Sequence, residues 1–128
     1  MAKATFSKKF NHQDRTVEVN LGMYIFKEED AVIVYCPALD LSSYGDTEDQ
    51  AKKAFESIFE STFKYMLNKK TLKEDLINHG WEIKSLKQKK LKAPSIDTLL
   101  DKNESFRDIL SNKEYSKYEQ RVGIPEFF

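Results

Sequence analysis

The sequence predicts an α+β fold: a small, mainly antiparallel sheet of about three to five strands covered by one long helix and a shorter one. Two patterns predict it, strict alternation of apolar residues in the first third and a helical periodicity in the middle. Between them lies "CPALDLSSYGDT", residues 36 to 47, where proline and glycine mark the switch from one period to the other. The expected order is β-β-β-α-α-β, followed by a C-terminal helical extension.

Residues 16–27, "TVEVNLGMYIFK", place Val17, Val19, Leu21, Met23 and Ile25 on one strand face and Glu18, Asn20, Tyr24 and Phe26 on the other. The first face is expected to meet the core. "EED" at 28–30 reads as an acidic turn, and "AVIVYC" at 31–36 is β-branched enough to return as the second strand of a hairpin. Upstream, "ATFSKKF" reads as a further strand, paired through the polar turn "NHQD". Pro37 has no N–H to give a ladder and ends the second strand, and "LDLSSYG" reads as a short third one.

Gly45 closes that strand, and Asp46 or Thr47 supplies the acceptor that a helix start needs, with Glu48 and Asp49 at the positive end of the helix dipole. Ala51, Ala54, Phe55, Ile58, Phe59, Thr62, Phe63, Met66 and Leu67 then recur with helical spacing, opposite Lys52, Lys53, Glu56, Glu60 and Lys64. "TLKEDLINHGW" predicts a shorter helix with Thr71 as cap, Glu74 completing a capping box, Leu72, Leu76 and Ile77 on its buried edge, and Gly80 as the left-handed stop. Trp81 and Ile83 open a fourth strand, "WEIKSLK". The expected core sets Phe55, Ile58, Phe59, Met66 and Trp81 against Val17, Val19, Leu21, Ile33 and Leu41.

Composition changes at residues 84–92, "KSLKQKKLK", with five lysines and no acid, closed by Pro94. Beyond it, short helices are expected, anchored by Ile96, Leu99, Leu100, Phe106, Ile109, Leu110, Tyr115 and Tyr118, and the final "VGIPEFF" reads as extended. The expected division is a sheet-and-helix domain over 1–87 and a helical extension with an extended tail over 88–128.

Catalytic chemistry is thin. The four glycines, at 22, 45, 80 and 123, form no phosphate-binding loop. His12 falls in a polar turn without an acid or nucleophile beside it, and His79 sits at a helix end. Glu28, Glu29 and Asp30 read as turn residues. The single Cys36 leaves no partner for an internal disulfide, cannot build a cysteine-based zinc site, and reads as a buried small hydrophobe. No metal, no cofactor and no enzymatic activity are expected; the sequence reads as a binding protein. Lysine plus arginine equal aspartate plus glutamate at 21 each, so no global field gathers nucleic acid or anionic lipid. No run is apolar enough for a signal peptide or a membrane span, which makes the cytoplasm the expected compartment.

Pro37, Leu39, Leu41, Gly45, Asp46, Thr47 and Ala51, followed by Ala54, resemble the passage "P.L....GDT...A" of the HicB-like antitoxin family, which also follows a strand hairpin and precedes a long helix. The "GW" at 80–81 fits as well, and the resemblance covers roughly residues 17–87. It implies a βββαβ unit, a partial ribonuclease-H-like fold without catalytic carboxylates, and neutralisation of a small HicA-like ribonuclease toxin. It also implies dimers or higher assemblies. The C-terminal third does not read as the ribbon-helix-helix or helix-turn-helix by which many members repress their own operon.

Two sets of contact residues follow. A homodimer is expected through the aromatic outer face and the C-terminal arm, with Tyr24, Phe26, Val122, Ile124 and Phe127 at or near the contact; the alternative is the same arm docked on its own sheet. Lys84, Lys87, Lys89, Lys90 and Lys92 are the candidates for phosphate contact if the chain is instead a stand-alone nucleic-acid-binding or regulatory module. Few aromatics interleave with them, which argues against base stacking.

Overall fold

The computed structural model describes residues 5–6, 16–85 and 90–125. The elements follow in chain order: β1 (Thr5–Phe6), β2 (Thr16–Glu28), β3 (Ala31–Cys36), β4 (Leu41–Gly45), α1 (Glu48–Lys69), α2 (Leu72–Asn78), β5 (Glu82–Ser85), β6 (Lys90–Lys92), α3 (Ile96–Lys102), α4 (Glu104–Asn112) and β7 (Tyr115–Pro125). The main sheet runs β1-β7-β2-β3-β4, antiparallel except for the two-residue pairing of β1 with β7, and β5 and β6 form a separate ribbon. The α+β class, the antiparallel sheet and the long helix are as the sequence predicts.

The β2–β3 hairpin turns on two residues, Glu29 and Asp30, with Glu29 in the left-handed region at φ 56°. Alternation then divides the sheet. Leu21, Met23 and Ile25 of β2, Val32, Val34 and Cys36 of β3, and Val122 and Ile124 of β7 join a core under α1 and α2. That core is filled by Ala51, Phe55, Phe59 and Phe63, spaced by four along α1, with Leu72, Leu76 and Trp81 beside them. On the other face, Tyr24, Phe26 and Tyr35 form a second cluster with Leu99, Phe106 and Ile109 from α3 and α4. Helices therefore cover both faces, and the molecule has three layers.

The start of α1 is closed reciprocally. Gln50 donates its backbone N–H to Thr47 Oγ1 at 3.2 Å, and Gln50 Oε1 accepts the backbone N–H of Asp46 at 2.9 Å. Thr47→Ala should lower stability by about 1 kcal/mol, read from the urea midpoint. Asp46→Ala, which keeps the backbone N–H that Gln50 accepts, should cost less. Gly45 is needed for a steric reason: a Cβ there would lie 2.7 Å from the Ala51 nitrogen, inside the first turn of α1. At the far end, Lys70 adopts φ 60° while its N–H and that of Thr71 return to Leu67 and Met66. That closure takes up Thr71, which sits at φ −110°, ψ 0° and makes no side-chain cap for α2. The expected capping box is therefore not formed. Gly80, at φ 96°, does stop α2.

Several expectations need correcting. "WEIKSLK" does not join the main sheet; β5 pairs with β6, and β7 fills the position beside β2. β7 brings Val122 and Ile124 into the core under α1, with Gly123 and Pro125 buried as well, whereas in β5 Ile83 is only half-buried beside an exposed Glu82. With β7 occupying that side of β2, β1 pairs in parallel with β7 instead of forming a hairpin with β2; "NHQD" lies outside the described residues. The division at residues 87 and 88 runs through a single sheet, because β7 pairs with β2 from Thr16 to Phe26. Ile33 faces α3 and α4, not α1, as its alternation with Val32 and Val34 requires. Ile58 and Met66 are half-buried at the flank of the α1 stripe.

Candidate interaction surface

The passage that carries the family resemblance folds into a corner. Pro37, Ala38 and Leu39 are buried in the turn from β3 to β4, and Asp40 completes it at φ 51°. Trp81 Nε1–H donates to the Ala38 carbonyl at 2.7 Å, tying the "GW" passage to the proline turn. Ser43 of β4, nearly inaccessible, donates its hydroxyl to the Ala51 carbonyl of α1 at 2.7 Å. Each of these residues has a structural task.

Cys36 lies at the base of the corner, fully buried, and burial pushes its thiol from 9.0 up to about 12. A thiol reagent at pH 8 should leave the native protein unmodified and react only on unfolding. The raised value also fixes a direction: the stability from burying a neutral thiol is complete below about pH 9 and is lost as pH rises towards 12. A titration of the urea midpoint over that window checks it.

The outer face near β4 is different. Tyr35 donates its hydroxyl to Asp40 at 2.7 Å and accepts from Asn103 Nδ2 at 2.7 Å, while Asn103 Oδ1 caps α4 by accepting the Phe106 N–H at 3.0 Å. Burial, and then the bond to Asp40, push the Tyr35 hydroxyl well above its ordinary range. This chain of bonds anchors α4 over β3 but leaves β4 bare. Tyr44 is 72% exposed, Ser42 is exposed, and an open groove of about 580 Å³ separates β4 from α4. Phe26, Ile33 and Tyr35 line its floor; Glu28, Asp40, Glu104 and Asp108 line its sides, with Lys113 held 3.3 Å from Glu28.

This acidity extends along the chain. Residues 28–51 hold seven acids and no lysine or arginine, and they supply the hairpin turn, β3, β4 and the start of α1. Neutral overall composition conceals this region, and only a windowed charge count along the sequence would have found it.

β4 is also an edge of the sheet, opposite the two-residue β1, and no strand pairs with its outer side among the described residues. Its hydrogen-bonding direction follows from the hairpin. A two-residue turn makes Glu28 and Ala31 a hydrogen-bonded pair, so by alternation residues 31, 33 and 35 of β3 bond to β2, and 32, 34 and 36 bond to β4. Their partners on β4 are Gly45, Ser43 and Leu41. Ser42 and Tyr44 therefore direct their N–H and C=O groups away from the sheet. The next outward amide, that of Asp46, is already taken by Gln50.

The residues expected from the sequence are scattered. Tyr24 and Phe26 lie beneath α3 and α4 of their own chain, with Tyr24 4.9 Å from Phe106 between ring centres. Val122 and Ile124 are fully buried in β7 under α1. The aromatic face and the described part of the apolar arm, Val122 to Pro125, from which a homodimer is expected, are thus both packed within one chain. Phe127, Lys87, Lys89 and His12 lie outside the described residues. Lys84, Lys90 and Lys92 belong to the β5–β6 ribbon, where Lys92 is exposed opposite Glu82 and Leu91 packs against the main core. The ribbon and the acidic groove are separate features. Among the described residues no group of three or more His, Cys, Asp or Glu side chains could hold a metal ion, and no helix is long and apolar enough to cross a membrane. Comparison with family models, curated proteins and solved structures returned no match.

Proposed function

We infer that the chain is a HicB-like antitoxin-type protein, which binds and neutralises a small HicA-like ribonuclease toxin. The observation that supports this best is the groove between β4 and α4, where Glu28, Asp40, Glu104 and Asp108 outnumber the one base, Lys113, and which borders the run of residues 28–51 that holds no lysine or arginine. A ribonuclease must hold phosphates, so its substrate surface is cationic, and a rigid acidic surface is the complement that would cover it. The "P.L....GDT...A" resemblance fits this reading by building the corner that presents β4. Inhibition by occlusion needs no catalytic group on this chain.

The test is co-purification with a small basic ribonuclease encoded beside this gene, followed by an RNA-cleavage assay. A stable complex with cleavage abolished is the expected result. Glu104→Lys combined with Asp108→Lys should weaken the complex, and rising salt should weaken it further. No complex, or inhibition that ignores both substitutions and salt, would count against the reading. The alternative, a nucleic-acid-binding module working through the lysine-rich ribbon, predicts that the chain alone binds RNA or DNA with a steep salt dependence.

A further inference from the structure

The geometry points to a definite mode of partner binding: β4 accepts an extended strand, flanked by basic residues, from another protein, which extends the main sheet by one strand. This rests on the reading of the chain as a partner-binding inhibitor and adds where, and how, the partner docks.

Three observations carry it. First, β4 ends the sheet, and Ser42 and Tyr44 direct two N–H and two C=O groups outward in strand geometry. Exposed edges are usually blunted by lysine, proline, a bulge or a cover, because such groups are a template for pairing. "LSSYG" carries no charge and no proline, and no bulge interrupts its register with β3. Second, the edge is held rigidly: Ser43 is bonded to α1, and Asp46 is locked by Gln50. An incoming strand would meet backbone groups already ordered, so little conformational entropy is lost on this side. Third, the charge identifies the occupant. Asp40 lies before β4, Asp46, Glu48 and Asp49 lie after it, and Glu104 and Asp108 stand across the groove.

Charge also separates this occupant from a second copy of the same chain. The antiparallel register that uses all four outward groups would pair Ser42 with Tyr44 of the copy, placing Asp40 near Asp46 of the copy twice over. Like charges so placed oppose self-pairing, whereas a strand ending in arginine or lysine is attracted at both ends.

The experiment uses the full chain, labelled for amide exchange, and a synthetic peptide of about nine residues in which valine and threonine alternate between arginine pairs. The expected result is salt-sensitive binding that slows exchange at the Ser42 and Tyr44 amides. Replacing the arginines by glutamates should abolish it. Ser42→Pro removes an outward N–H without touching the β3 ladder and should weaken binding about tenfold. The same variant must keep a native circular-dichroism spectrum; Tyr44→Pro serves if it does not. Binding that leaves both amides exchanging freely, no binding at millimolar peptide, or protection that grows with protein concentration in the absence of peptide would each overturn the proposal. Inhibition of a ribonuclease without β4 protection would remove strand addition and leave the antitoxin reading standing. β4 protection without inhibition would do the reverse.

Discussion

A chain ending at Asn112 is expected not to fold. The truncation removes β7, which pairs with β2 from Thr16 to Phe26 and separates it from β1. Val122 and Ile124, both fully buried, leave the core under α1, and Tyr115, whose ring centre is 5.6 Å from that of Tyr24, leaves the opposite face. Each fully buried aliphatic side chain contributes about 1.5–3 kcal/mol. The loss also exposes Leu21, Met23 and the β2 backbone, whose hydrogen-bond partners lay on β7. Against a whole-domain stability of about 5–15 kcal/mol, that sum leaves no margin. Circular dichroism with urea titration reads the outcome: a cooperative transition in the truncated chain would contradict it. Ile124→Asp in the full-length chain tests the same point without shortening it, and should also fail to fold cooperatively.

How much of this was legible in the sequence depended on range. Locally determined features were readable: alternation set the inward face of β2, the cap at Thr47 set the start of α1, and spacing by four along α1 set its buried stripe. What failed was pairing over distance. "WEIKSLK" reads as a strand and the stretch through Tyr115 and Tyr118 reads as helical, yet Tyr115–Pro125 is the strand that lies beside β2. That pairing buries four consecutive positions, Val122 to Pro125, which only the assembled sheet reveals. The outer face misled for a related reason. Tyr24 and Phe26 are too apolar for a solvated surface, as the sequence suggested, but their cover comes from Leu99, Phe106 and Ile109 of the same chain and not from a second subunit. The acidic surface around β4 was legible in principle, since residues 28–51 lack any base, yet whole-chain charge balance hides it. The edge position of β4 was not legible, because an edge is a property of the strand order.

Phe59→Ala is expected to destabilise the full-length protein by about 3–5 kcal/mol. Phe59 is fully buried near the middle of α1, with Phe55 and Phe63 one turn away on either side. Its ring stacks on that of Phe63 at 4.3 Å between centres and 23° between planes, a contact worth about 0.5–1.5 kcal/mol beyond area alone. Truncation would leave a void facing the sheet, and that space cannot easily collapse. Ser43 of β4 donates to the Ala51 carbonyl and ties the start of α1 to the sheet. A helix held there cannot settle freely inward to refill the site, so the cost should lie towards the upper part of the range. Ile58→Ala provides the contrast, since Ile58 is half-buried on the flank and water can replace what is lost there. It should cost clearly less. Urea midpoints for the two variants, at unchanged slope, make the comparison. A loss below about 1 kcal/mol at Phe59, or a larger loss at Ile58 than at Phe59, would mean that α1 does not present this stripe to the sheet.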